Sequence, residues 1–277
     1  MQKMKYIFIT ILSVFLFSSC EKKANIEIPN QDPELVVAGF IGPNEDTTRL
    51  KLTWTVPIYN HTYDEYDDNS RNEKDAEVSF VSNGNTIMLQ YNNHCNCYIT
   101  TNNTLKVGDE VSLSIKYKDH AELTSKAIIP KDPEFDIKFQ GIKSIDYGDY
   151  SESYAEFKFT CLSDEPINYY RIKMLSYSHQ GNYVVIEEMY MYEYEYVKME
   201  PNTSITLSPY YNEYNTLDSV RYYIVNCSED YYKYHISVHN YQGDDFFVEP
   251  SIIYDNIDNG FGNFSAYNMV SDTLITN

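Results

Sequence analysis

Positive charge is scarce in this sequence: 21 lysines and arginines face 41 acidic residues, for a formal net charge of −20. Taking Lys3 and Lys5 away with an N-terminal leader leaves 19 against 41, or −22. So acidic a chain argues strongly against nucleic acid and anionic lipid headgroups as partners, because both are bound by cationic neutralisation. A cationic partner or divalent ions are compatible with the charge without being required by it. The chain also lacks the short motifs of common chemistries. It has no Gly-x-Ser-x-Gly elbow, no His-Glu-x-x-His and no Walker loop. Its six histidines, at 61, 94, 120, 179, 235 and 239, stand in no hydrolase context. No catalytic residue, cofactor or metal set is assigned, and the chain reads as non-enzymatic. Helical periodicity is nearly missing. Nor does any apolar stretch approach the roughly 20 residues of a spanning helix.

Against these absences stands an informative N-terminus. Lys3 and Lys5 precede an apolar run over residues 6–17, and Ser18 and Ser19 lead into Cys20. The run is short for crossing a bilayer and has the layout of a secretory leader. A cysteine directly after small residues predicts a bacterial lipoprotein signal, with residues 1–19 removed and the Cys20 thiol acylated, palmitate being the kind of chain it would carry. Leu16 and Phe17 stand where such signals more often have Leu or Val. Ordinary secretion with a coincidental cysteine is the competing reading. Two or three acyl chains anchor a protein stably, since each buried methylene contributes about 0.8 kcal/mol. Residues 20–33 are then the lipidated cysteine and a polar tether.

Period-two alternation recurs along the remainder, in short runs rich in Val, Ile, Thr, Tyr and Phe, the pattern of half-buried strands. Runs at 34–41, 48–58, 76–82, 86–92, 110–118 and 122–130 follow one another between turn signals. The Asn83-Gly84 dipeptide between two of them predicts a tight hairpin. Six or seven strands in roughly 100 residues predict an immunoglobulin-like β-sandwich over 34–130. Lys131-Asp132-Pro133 marks a boundary, and residues 131–277 continue as a second β-rich domain with enough chain for its own core. The fold class is all-β. Residues 229–240 are open between helix and strand.

Four further cysteines, Cys95, Cys97, Cys161 and Cys227, allow three disulfide connectivities. Cys161 and Cys227 lie in alternating runs and read equally as buried free thiols or as one inter-strand bridge. His94, Cys95 and Cys97 bring soft ligands together, but in an extended chain His94 points away from the cysteines, which disfavours a metal site. The acidic run at 63–75 reads as a solvated excursion rather than a calcium loop. Tyrosine is the strongest compositional excess, 29 residues against a single tryptophan, Trp54. In 190–199, Tyr190, Tyr192, Tyr194 and Tyr196 alternate and would share one face of a strand, a candidate binding surface for sugars or a protein partner. Gly260 and Gly262, within Asn259-Gly-Phe-Gly-Asn263, follow a strand pattern but precede no helix. They read as a bend or bulge rather than a phosphate cradle.

The same C-terminal stretch carries a resemblance. Glu249-Pro250, Tyr254, Asn256-Ile257, Asn259-Gly260, Gly262 and Phe264 resemble the closing signature of the domain of unknown function 4249 family of Bacteroidota lipoproteins. Cys20, and Pro33 through Leu35-Val36-Val37, Gly39 and Ile41, are similar to its opening. The likeness spans the mature chain, with 183–218 the least similar part. It implies a lipid anchor in the cell outer membrane, on the periplasmic or the surface face, and an accessory role beside a TonB-dependent outer-membrane receptor. It supplies no catalytic residues, and the ligand is unknown. A glycan-binding lipoprotein and a structural or adhesive envelope protein are the alternatives. Replacing Cys20 with alanine is expected to abolish metabolic lipid labelling and release the protein from membranes; unchanged retention of the variant in the membrane fraction would contradict the anchor.

Overall fold

The computed structural model describes residues 32–43, 45–56, 71–180, 183–191, 195–211, 216–241 and 252–276. The leader, Cys20, most of the tether, most of the acidic run, Tyr192, Tyr194 and Glu249-Pro250 lie outside these. Alternating apolar residues form β1 (Leu35–Ile41), β2 (Thr48–Trp54), β3 (Glu77–Ser82), β4 (Asn85–Asn92), β5 (Cys97–Thr100), β6 (Glu110–Lys116) and β7 (Leu123–Ile128). In β1 the pattern of buried and half-buried positions alternates without a break. Asn83 and Gly84 both take positive φ, 51° and 76°, and Ser82 pairs with Asn85, which makes the expected two-residue hairpin.

Strand order builds the sandwich. One layer runs β1-β2-β5-β4 and the other β3-β6-β7, while β4 pairs with β3 through Asn85–Leu89 and with β5 through Gln90–Asn92. This is the A-B-E-D and C-F-G arrangement of an immunoglobulin-like sandwich, with β4 bridging the layers. Leu50, Leu52 and Val37 of one layer and Phe80, Leu113 and Ile115 of the other belong to one buried apolar cluster. The strand β5 has only four residues and no long alternating run, so periodicity did not reveal it.

Residues 135–227 form a second pair of layers: β8 (Phe135–Asp146), β9 (Ser151–Cys161), β10 (Asn168–Gln180), β11 (Tyr183–Glu188), β12 (Tyr196–Met199), β13 (Ser204–Leu207), β14 (Tyr210–Tyr211) and β15 (Thr216–Cys227). Along one layer β9 carries β8 on one edge and β13 and β14 on the other. In the other, β10 lies between β15 and the pair β11 and β12. Phe157, Phe159 and Leu207 join Tyr170, Ile172, Met174 and Ile224 in its core. The run at 183–199 is therefore two strands, not one. Its break comes at Met189, which turns inward to a buried position while its N–H donates to the Met174 carbonyl at 3.0 Å. Residues 229–240 resolve as helix α1 (Glu229–His239), capped by Ser228, whose hydroxyl accepts the Tyr231 N–H at 3.3 Å.

The last strand, β16 (Phe261–Ile275), amends the expected boundaries. Its first residues, Phe261–Ala266, run parallel to β1, and Tyr267–Ile275 run antiparallel to β15. Phe264, Ala266 and Ile257 complete the first core. The sandwich over 34–130 is thus finished by residues from the end of the chain, and Pro33–Asn277 form one compact unit. The linker is pinned as well: the Asn268 amide donates to the Pro130 carbonyl at 3.2 Å and to Asp132 at 2.8 Å, and Asn226 donates to the Lys131 carbonyl at 3.0 Å.

Gly260 and Gly262 are backbone devices. Gly262 takes φ 108°, and a Cβ there would stand 2.0 Å from the Val37 carbonyl oxygen. Asn256 adds a side-chain rung, donating to the Phe264 carbonyl at 2.8 Å and accepting the Phe264 N–H at 2.9 Å. Asp258 exchanges backbone hydrogen bonds with Thr124 of β7, at 2.9 and 3.3 Å. The signature therefore clasps the free edge of β7 to the β1–β16 ladder. Gly262→Ala is expected to cost at least about 3 kcal/mol, from strain plus steric overlap. Gly84→Ala, at a position with open space, should cost only about 1–2 kcal/mol. Urea denaturation of the two variants checks the difference.

Candidate functional site

Two polar constellations stand out among the described residues. The first lies where α1 packs on β16 and β10. Arg171 of β10 donates through Nε and Nη2 to Glu195, at 2.9 and 2.7 Å, and through Nη1 to the Tyr231 hydroxyl at 3.2 Å. Its guanidinium sits over the Tyr196 ring, 5.2 Å from the centroid. His235 of α1 stacks on Tyr196 at 5.3 Å and packs against Tyr231 at 4.3 Å and Phe40 of β1 at 4.9 Å. Cys227 is buried beneath, and Tyr267 hydrogen-bonds Glu45.

Burial holds the imidazole, thiol and phenols of this cluster uncharged beside the Arg171–Glu195 pair and the Glu45 carboxylate. Burial first, and then the charge of Arg171, lower the His235 pKa to about 4. Its Nε2 is buried with no hydrogen-bond partner among the described residues. Burial likewise pushes the Cys227 thiol and the Tyr196, Tyr231 and Tyr267 hydroxyls up. An uncharged imidazole between aromatic rings, with a buried protonated thiol, suits a packed joint between the sandwiches and α1.

The second constellation is a depression of about 400 Å³ on the second sandwich. The chain enters it as β11 ends, so that Glu187, Glu188, Met189 and Tyr190 follow one another along one wall, with Ser176, Tyr210 and Tyr211 on the other side. The Tyr210 N–H donates to the Tyr190 carbonyl at 3.2 Å and ties the walls together. Tyr190 is 68% exposed and Tyr210 46%, so both rings offer area to a ligand. Tyr154 meets Tyr210 edge to face at 6.3 Å, and Tyr147 and Tyr150, exposed at the tip of the β8–β9 hairpin, stack at 5.1 Å. Aromatic rings beside carboxylates can stack on an apolar face and accept hydrogen bonds from hydroxyl or ammonium groups.

This geometry redraws the expected tyrosine ladder. Of its four members, Tyr192 and Tyr194 lie outside the described residues. Tyr190 follows the end of β11 and faces the depression, while Tyr196 opens β12 and is half-buried over Arg171. The two described members therefore do not share a strand: β11 ends at Glu188, before Tyr190, and β12 begins at Tyr196. Tyr210, Tyr211, Glu187 and Glu188 were missed, since nothing in local spacing connects residue 210 with residue 190. Arg171 and His235 were missed too; that Arg171 is one of only four arginines was the available signal.

The cysteines resolve into one bridge and two thiols. Cys95 and Cys97 are disulfide-bonded, and Cys161 and Cys227 are buried and free, so the alternative of a bridge between the latter pair is not what forms. Cys161 instead meets the Tyr170 hydroxyl at 3.4 Å. Among the described residues no group of three or more His, Cys, Asp or Glu is placed to hold a metal ion, and no helix is long and apolar enough to cross a membrane.

The His235 environment has a consequence with a definite sign. A histidine at 6.5 in the unfolded chain and about 4 in the fold binds fewer protons when folded, so its contribution is full above pH 6.5 and is lost as pH falls towards 4. His235→Phe removes that loss. Its urea midpoint relative to the wild type is expected to rise as pH is lowered from 7 to 4.

No curated protein matches the chain. Among solved structures, a two fibronectin type-III domain segment from chicken tenascin aligns at 15% identity over 89% of this chain and 100% of its own, with a TM-score of 0.19. At that score the likeness carries no argument, and the sandwich assignment rests on the strand pairings. A family model matches residues 21–273, from the residue after Cys20 to within β16. The chain belongs to the family described as domain of unknown function (DUF4249).

Proposed function

We propose that the protein is a non-enzymatic lipoprotein of a Bacteroidota cell envelope, anchored through Cys20, that serves as accessory or binding partner of a TonB-dependent outer-membrane receptor in uptake. The observation that carries a binding role is the depression between Tyr190 and Tyr210, where exposed rings adjoin Glu187 and Glu188 on a fixed sheet edge. Exposed tyrosines with anchored backbones give large contact area at low entropic cost, which suits recognition. The leader with its cysteine and the family membership support the placement.

Affinity purification from membranes tests it. A TonB-dependent receptor is expected to co-purify with the wild-type chain and to be depleted when Tyr190 and Tyr210 are both alanine. Absence of any such receptor above background removes the partnership. A second reading, glycan binding, is favoured by the same pairing of rings with carboxylates, since sugars present an apolar face and a rim of hydroxyls. Titration calorimetry against a panel of polysaccharides and oligosaccharides separates the two: heat that is lost in Tyr210→Ala supports the sugar reading, and no heat with any glycan eliminates it.

A further inference from the structure

The β4–β5 hairpin closes at the Asn92–Cys97 pair, and its turn holds the Cys95–Cys97 disulfide, with Cα atoms 5.3 Å apart. Only Asn96 lies inside the ring, and it takes φ 50°, in the left-handed region. A cross-link over so few residues removes little freedom from the unfolded chain, so stabilisation is a weak reason for it. Cys95 is exposed and Cys97 is buried, which presents one sulfur to solvent and shields the other.

Strand register surrounds this bridge with cations. Arg49 of β2 lies opposite Ile99 and Leu50 opposite Tyr98, so by alternation Arg49 and Lys51 project from the same sheet face as Cys97. All of them line a depression of about 370 Å³ that also includes Cys95. Glu45 is the acid among its described lining residues, and it is engaged by the Tyr267 hydroxyl. Burial raises its pKa, while the Tyr267 hydrogen bond and the nearby charge of Arg49 act the other way. Two cations against one carboxylate thus give the depression beside this accessible disulfide a local positive surplus, in a chain whose net charge is −20.

We propose that Cys95 and Cys97 form a thiol–disulfide exchange site for anionic thiols, with Cys95 as the attacked sulfur and Cys97 as the leaving thiolate. An incoming thiolate bonds to Cys95 Sγ, the Cys95–Cys97 bond breaks, and its electron pair leaves on Cys97. A second thiolate attacks the substrate sulfur of the mixed disulfide and releases Cys95. Two substrate thiols are oxidised to one disulfide, and their two protons end on Cys95 and Cys97. Arg49 and Lys51 favour both the approaching and the departing thiolate, since nearby cations stabilise the charged form of sulfur. This site lies on the first sandwich and is independent of the binding reading for the second.

The test uses the full chain in its oxidised form, reacted with glutathione as an anionic thiol and cysteamine as a cationic one, at matched thiolate concentration. Alkylation and mass spectrometry then locate the products. A mixed disulfide on Cys95 is expected, with Cys161 and Cys227 unmodified. Added salt, which screens exposed charges, should slow glutathione and leave cysteamine unslowed. Arg49→Gln should slow glutathione by about tenfold, of the order that removal of a nearby charge changes a steered encounter, and Arg49→Lys should retain the rate. A faster reaction with an acidic cysteine peptide than with glutathione assigns a protein thiol as substrate; the reverse order assigns a small one. A bridge that stays closed in both thiols overturns the proposal. So does equal salt dependence for the two thiols in the wild-type protein, a measurement that needs no variant to fold.

Discussion

The parallel ladder between β1 and β16 is the contact on which the rest of the structure depends. It brings the end of the chain back to its beginning, and it requires Gly262 to face the Val37 carbonyl, where no side chain fits. Parallel pairing has high sequence separation and a large loop-closure cost. That cost is offset by burial of Ile257, Phe264 and Ala266 in the first core and by the polar clasp of Asn256 and Asp258. Because the same strand then pairs with β15, a side chain placed at Gly262 would disturb a strand shared by both sandwiches. The family signature is, on this account, the chemistry of one strand junction.

Around that junction the aromatic residues divide by geometry. Tyr170, Tyr231 and Tyr98 are buried and act as core, while Tyr147, Tyr150, Tyr190 and Tyr210 are exposed on or near the second sandwich. The buried group gathers polar companions such as Arg171 and Glu195, since a phenol or guanidinium removed from water needs a partner. Of the exposed group, Tyr190 and Tyr210 line the depression together with Glu187 and Glu188. Sheet propensity explains why tyrosine is abundant; it does not say which copies face outward.

Much of the fold was legible in the residues. Strict alternation marked β1, β2, β3 and β6, and Asn83-Gly84 fixed a hairpin, because both signals are local and set by side-chain direction or positive φ. The bend at Gly260 and Gly262 was legible for the same reason. What local pattern could not show was β5, with its four residues, or the break at Met189 within a run that still alternates. The expected Tyr190–Tyr196 face does not form along one strand, because β11 ends at Glu188 and β12 begins at Tyr196, with Tyr192 and Tyr194 outside the described residues. The cysteines left three pairings open, and the short bridge is selected by the hairpin turn that places Cys95 over Cys97.

By itself the sequence determined the all-β class, the turn at Asn83-Gly84, the acidic charge and a family signature, since each is written in neighbouring residues or in composition. The tertiary structure alone decided that one strand serves two cores, that Tyr190 meets Tyr210 rather than Tyr196, and that Arg49 and Lys51 flank a disulfide. Those facts join residues from 20 to more than 220 positions apart, as in the Tyr190–Tyr210 and Val37–Gly262 contacts. Only burial of shared apolar surface and strand register bring such residues together, and neither is encoded in local spacing.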